Sequence, residues 1–295
     1  MNTDTVVIAD SCCDLPYEYI QKRNVPIIYY TYMLNGTEYI DDFGHTMPYE
    51  DFFAAMRKGA VPTTSQVNVH VFADMFEKYI KEGKSIIYLS FSSGLTGSFN
   101  NALMARNMLI EKYENADITI IDTLSASIGE GLLVYNAVEM LHNGASKQEI
   151  IDWVEQNKWR INHWFTVDNL VYLKRGGRVS GAKAFVANVM DIKPVLNIDN
   201  EGHLIPIYKA KGRKKAMRTL ISRMEELAVN PEEQVVAINH GDALDDALWV
   251  ADKVKEKFNV KDIIINSVGP VIGSHSGPGT LSLFFFAEKR FINEK

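Results

Sequence analysis

From Thr5 to about residue 160 the chain repeats one unit, a short apolar run, a polar turn and then a stretch of helical period. The runs 5–9 and 85–89 are apolar after their first residue rather than alternating, which marks buried strands, and 117–121 reads as the next strand. Helical patterns at 17–23, 48–58, 69–81, 99–113, 132–142 and 147–159 fall between or after them. Strands separated by helices return in the same direction, so this half requires a mainly parallel sheet covered on both sides. Ligands of such sheets bind beyond the carboxyl ends of the strands. The polar turns Asp10-Ser11, Ser92-Ser93-Gly94 and Asp122-Thr123 all fall there.

The richest of these turns is Ser90-Phe91-Ser92-Ser93-Gly94-Leu95-Thr96-Gly97-Ser98. A glycine-bearing turn into a helix offers free N–H groups, the positive end of the helix dipole and room for an anion. It is equally the form of an ordinary loop whose serines cap the helix. A second polar loop, Thr64-Ser65-Gln66-Val67-Asn68, precedes the helix at 69–81 and admits the same two readings. Asn35-Gly36 between 32–34 and 37–40 is a hairpin signal.

After residue 160 the rhythm changes. Strands are expected at 162–167, 193–198, 203–209, 234–239 and 262–268, with helices at 182–190, 211–227 and 244–258. A glycine-rich loop, 273–279, carries His275 and leads into the apolar run 281–287. The expected fold is α/β with two domains. An N-terminal three-layer α/β/α domain over 1–160 has a mainly parallel sheet, and an α+β domain over 161–295 has a mixed one. The length of 295 residues fits that division.

Composition limits function. With 46% hydrophobic residues, 23% charged and a net charge of −6, nucleic-acid binding is disfavoured. The only cysteines, Cys12 and Cys13, are adjacent and build neither a disulfide framework nor a cysteine-rich zinc site. No signal segment or apolar run of membrane-spanning length is read, so a cytoplasmic protein is expected. The Walker phosphate loop, the dinucleotide glycine fingerprint, the Gly-x-Ser-x-Gly elbow and paired-histidine metal spacing are all missing. No metal site and no cofactor are expected. Arg213, Lys214 and Lys215 belong to a run of six cations between 209 and 218, readable as a solvated helix face or as a docking surface.

Taken together, Asp10-Ser11 with Asp14-Leu15-Pro16, Thr64-Ser65-Gln66, Ser92 to Gly97, Asp122-Thr123 with Ser127 and Gly129, and Leu173-Lys174-Arg175-Gly176-Gly177-Arg178 form one ordered set. Lys193-Pro194-Val195-Leu196, Lys209 with Gly212-Arg213, and His275 with Gly277-Pro278-Gly279 complete it. In order and spacing the set resembles the DegV-type bacterial fatty-acid-binding proteins, the lipid-carrying subunit of fatty acid kinase. The resemblance implies a long-chain fatty acid held between two domains and phosphorylated to an acyl phosphate by a separate kinase subunit, for phospholipid synthesis. The chain itself is then not an enzyme. It implies Thr64, Ser93 and the N–H of Gly94 as donors to the carboxylate, with Asn68 and His275 around them and Arg175 supplying charge. Candidate tail residues are Phe185, Val186, Val189 and Met190, with Ile272 and Phe284 to Phe286; an apolar helix is also what an ordinary core requires. The run at Lys214 becomes a surface for the kinase or, transiently, for a membrane. Two positions depart from the family pattern: Thr280 to Phe286 is bulkier, and Cys12-Cys13 replaces smaller residues. A stand-alone phosphotransferase or hydrolase using Ser93 and His275 is the alternative, and a monomer is expected.

Overall fold

The computed structural model describes residues 4–179 and 191–291. The parallel sheet is built from β1 (Thr5–Asp10), β2 (Ile27–Ile28), β6 (Ser85–Ser90) and β7 (Ile118–Asp122), in the order β2-β1-β6-β7. Alternate residues of each strand face opposite ways. Ile8, Ile86 and Tyr88 turn toward α3 (Val69–Lys81) and α4 (Ser98–Lys112). Val7, Ala9, Ile87 and Leu89 turn toward α5 (Ile128–His142) and α6 (Lys147–Asn157).

The hairpin signal at Asn35-Gly36 closes β3 (Thr31–Leu34) on β4 (Thr37–Ile40), with both turn residues at positive φ. Thr63–Ser65 forms β5, antiparallel to β3, where the sequence reads as loop. Three polar residues hide a strand from hydropathy, and register with Met33, Tyr32 and Thr31 holds it. Thr64 therefore sits on a strand, opposite Tyr32.

The second sheet has six strands in the order β10-β9-β8-β13-β11-β12. These are β8 (Ile161–Thr166), β9 (Ile192–Ile198), β10 (Leu204–Lys211), β11 (Val235–His240), β12 (Asp262–Ser267) and β13 (Leu281–Phe286). β11 and β12 are parallel and the remaining pairs are antiparallel, so the sheet is mixed, as expected from the sequence. Leu283 and Phe285 of β13 face α8 (Arg213–Leu227) and α9 (Leu244–Phe258), while Phe284 faces the other way, toward α5. This alternation divides the three consecutive phenylalanines between two cores.

Helix α5 joins the halves. It is buried almost all round from Ile128 to Val138, as expected of a helix with no polar face. One cluster packs its Leu132, Leu133 and Val134 with Ala9 and Ile87 of the parallel sheet and with Ile161, Ala237 and Phe284 of the mixed sheet. The layers thus run helix, parallel sheet, shared helices, mixed sheet, helix. No helix among the described residues is long and apolar enough to cross a membrane.

Candidate functional site

A cavity of about 220 Å³ lies where the parallel sheet, the β3 hairpin and the mixed sheet meet. Its apolar wall includes Phe91, Phe165, Leu173, Val268, Val271 and Phe284. The mixed sheet contributes two directly opposed pairs, His163 with Phe284 and Phe165 with Ser282, all four on one face. Ile272 and Phe284 stand in this wall. Phe285 is turned into the opposite core. Phe185, Val186, Val189 and Met190 lie outside the described residues.

The end of the cavity nearest the surface is polar. Residues 273–276, expected within the glycine-rich loop 273–279, belong to helix α10 (Pro270–Ser276). Pro270 suits its first turn, where a missing N–H costs nothing, and Gly277 at φ 80° ends it. His275 in its last turn shares a 2.8 Å hydrogen bond between Nε2 and Thr64 Oγ1. Behind the ring lies Gly176, the residue that ends α7 (Val171–Arg175); a β-carbon there would stand 2.1 Å from His275 Nδ1. Arg178 reaches the same end. Its Nε donates to the Leu95 carbonyl at 3.2 Å and its Nη1 to the Gly176 carbonyl. Burial, with the Arg178 cation close by, pushes the His275 imidazole down to about 4, so it is neutral near pH 7.

The Ser-Ser-Gly turn is held differently from its sequence reading. Ser93 is exposed and its N–H donates to Asp122 Oδ1 at 3.1 Å. The Gly94 N–H donates to Ser92 Oγ at 3.2 Å, and Ser92 Oγ donates to the Gly202 carbonyl at 2.9 Å. The tip of the β9–β10 hairpin covers Gly94 so closely that a β-carbon would lie 2.5 Å from the Glu201 carbonyl. Leu95, Thr96 and Gly97, the next residues of the turn, are the ones that line the cavity. No hydrogen bond joins Ser93 to His275. Asn68 caps α3, its side-chain oxygen accepting from the His70 and Val71 amides. Arg175 is exposed, and it is Arg178, three residues on, that lines the cavity.

Buried acids gather behind the site. Asp14 accepts hydrogen bonds from Ser127 Oγ, the Gly269 N–H and Asn239 Nδ2, tying the turn after β1 to α5, β11 and the start of α10. Burial lifts Asp14 to about 7 and Asp10 to about 6 despite these donors and those on Asp10. Cys12 and Cys13 are fully buried beside them, and burial pushes both thiols up, so neither is poised as a thiolate. The sole group of at least three potential metal ligands found among the described residues is Asp199, Glu201 and His203 at the hairpin tip. There Asp199 Oδ1 already accepts from the Glu201 and His203 amides.

The sequence reading missed His163 as a lining residue, though the two-residue period of 161–166 places it on the face of Phe165. It also missed Tyr30, Ser276 and Ser282, whose positions depend on long-range pairing. At the start of α8, Arg213 is pinned to Asp246 Oδ2 at 2.7 Å and to the Gly279 carbonyl, whereas Lys214 and Lys215 are exposed.

Solved structures of this fold are known. A DegV family protein from Thermus thermophilus, described as binding fatty acid, superposes with a TM-score of 0.88 at 28% identity over 97% of this chain and 100% of that one. DegV of Bacillus subtilis, described as a fatty acid binding protein, gives 0.83 at 27% identity over 96% and 99%. A DegV domain-containing protein of Clostridium perfringens is 44% identical over 97% of this chain and 98% of its own length. The family model described as "Uncharacterised protein, DegV family" matches residues 4–288, and with these relatives the chain belongs to the DegV family.

Proposed function

We propose that this protein holds one long-chain fatty acid in the cavity and presents its carboxylate to a separate kinase subunit, which phosphorylates it to an acyl phosphate. The observation that carries the reading is a mainly apolar cavity whose surface end bears a neutral Thr64–His275 pair and the Arg178 guanidinium. The fatty acids bound by the solved relatives support it. On this reading residues 1–160 and 161–295 are two domains that form the two walls. Ile272 and Phe284 contact the tail. Asn68, Ser93 and Gly94 act through the helix start and the turn that they hold, and Arg178 takes the role expected of Arg175.

The energetics are consistent with a clamp of this kind. Burying a methylene is worth roughly 0.8 kcal/mol, so a tail of about fifteen carbons offers on the order of 12 kcal/mol before ordering costs. The head group then needs only orientation and satisfied oxygens. Neutral donors with one partly exposed guanidinium leave the carboxylate oxygen a usable nucleophile, which a tight ion pair would not. The chain contributes no chemistry of its own, and the exposed Lys214 and Lys215 offer the kinase a cationic face.

Organic extraction and mass spectrometry of the purified protein test the binding step. One long-chain fatty acid per chain is expected, or stoichiometric uptake of added palmitate after delipidation. Absence of both co-purified lipid and palmitate uptake overturns the reading.

A further inference from the structure

Helix α10 supplies Val271, Ile272, His275 and Ser276 to the cavity wall. It has seven residues, too few for its place and direction to be set by its own hydrogen bonds. Contacts from outside hold it along its length. In its last turn His275 meets Thr64. In its middle Gly273 lies against Phe52 and Phe53 of α2 (Tyr49–Arg57), where a β-carbon would stand 3.0 Å from either ring. At its start two buried carboxyl groups converge. The N–H groups of Gly269 and Val271 flank Pro270, which has none. The Gly269 N–H donates to Asp14 Oδ1 at 2.9 Å and the Val271 N–H to Asp41 Oδ2 at 3.3 Å. Both acids come from the N-terminal half, Asp14 from the turn after β1 and Asp41 from just beyond β4. Asp41 is itself fixed, since its N–H donates to the Tyr30 carbonyl at 2.9 Å. A β-carbon on Gly269 would lie 2.9 Å from Asp14 Oδ1 and 3.1 Å from Asp41 Oδ2, so the two groups close tightly on the helix start. Neither acid lines the cavity.

A carboxyl oxygen at a first turn accepts from N–H groups that the helix leaves open and suits the positive end of its dipole. Removing it leaves a buried N–H without a partner, which the helix can satisfy only by moving. In a helix of two turns, movement at the start carries through to His275. We infer that Asp14 and Asp41 are positioning residues for the fatty-acid carboxylate: they touch no ligand, but they seat α10 so that His275 stands at the Thr64 hydroxyl. The inference rests on the fatty-acid reading above and adds to its head-group end two residues that lie outside the cavity.

The test reads palmitate affinity, and the NMR titration midpoint of the His275 ring in delipidated protein, across four variants. Asp41→Ala removes the oxygen bonded to Val271, and Asp41→Asn keeps one. The alanine variant should bind palmitate about tenfold more weakly. Its midpoint should rise from about 4 toward the ordinary 6.5, because the ring leaves its buried place. The asparagine variant should stay close to wild type in both. Gly269→Ala crowds the seat without altering either acid; it should reproduce the Asp41→Ala result, and it carries the test if Asp41→Ala does not fold. Val236→Ala, in the core behind the mixed sheet, lowers stability and should change neither quantity. Wild-type affinity and midpoint in either Asp41→Ala or Gly269→Ala overturn the inference. So does an equal loss in Asp41→Asn, or the same losses in Val236→Ala, which would make general stability the cause. If the wild type takes up no palmitate, the fatty-acid reading fails, and the His275 midpoints still test the seat.

Discussion

At the scale of single residues, polar groups in this protein are used in two ways. Ser92, Ser93, Gly94 and Asn68 are consumed locally, holding a turn and capping a helix. Thr64, His275 and Arg178 are turned toward the cavity from three separate elements. The two arginines of the Arg-Gly-Gly-Arg segment separate these uses, since one is exposed and the other lines the cavity. Arg178→Ala should weaken palmitate binding by roughly tenfold to a hundredfold, as expected for loss of a hydrogen bond to a charged group. Arg175→Ala should change it by less than about twofold, the mark of a side chain that touches no ligand. Titration of both variants with palmitate checks this, and the reverse ranking would return the head-group role to Arg175.

At the scale of elements, α7 and α10 meet with Gly176 against the His275 ring. Gly176 has an ordinary helical backbone, so the close approach is its only special demand. Gly177 is the converse, at φ 68° with open space around it. Gly176→Ala should displace His275 and weaken palmitate binding about tenfold or more. Gly177→Ala should cost about 1 kcal/mol of stability and leave affinity unchanged. Paired melting and binding curves distinguish these outcomes, and intact affinity in Gly176→Ala would remove His275 from the site. The same elements mark what the sequence discloses. Most strands and most helices were legible because apolar runs and helical periods are local signals. Helix α10 was hidden because Gly273 and two serines read as loop, although Pro270 is at home in a first turn. Strand β5 was hidden because Thr63–Ser65 is polar and is held by its register with β3. The Ser92 turn was legible as a motif, but the hairpin tip that covers it comes from more than a hundred residues away.

At the scale of the whole molecule, the two sheets are joined through α5 and through Asp14, and the cavity lies between them. Its buried titratable groups act on stability in opposite directions. Asp10 and Asp14 have folded pKa values raised above 3.8, so the folded state holds protons the unfolded state releases, and stability falls as pH rises from about 4 through about 7. His275 is depressed from 6.5 to about 4, so its contribution is full above 6.5 and is lost as pH falls toward 4. This low value also makes His275 a reporter of the ligand, because a carboxylate placed beside a neutral imidazole favours its charged form. The decisive measurement is therefore an NMR pH titration of the His275 ring in delipidated protein and again with palmitate bound. A carboxylate seated at the Thr64–His275–Arg178 end predicts a midpoint near 4 without lipid and a clear rise with it. A midpoint unmoved by stoichiometric palmitate would contradict the account, because the carboxylate would then lie elsewhere.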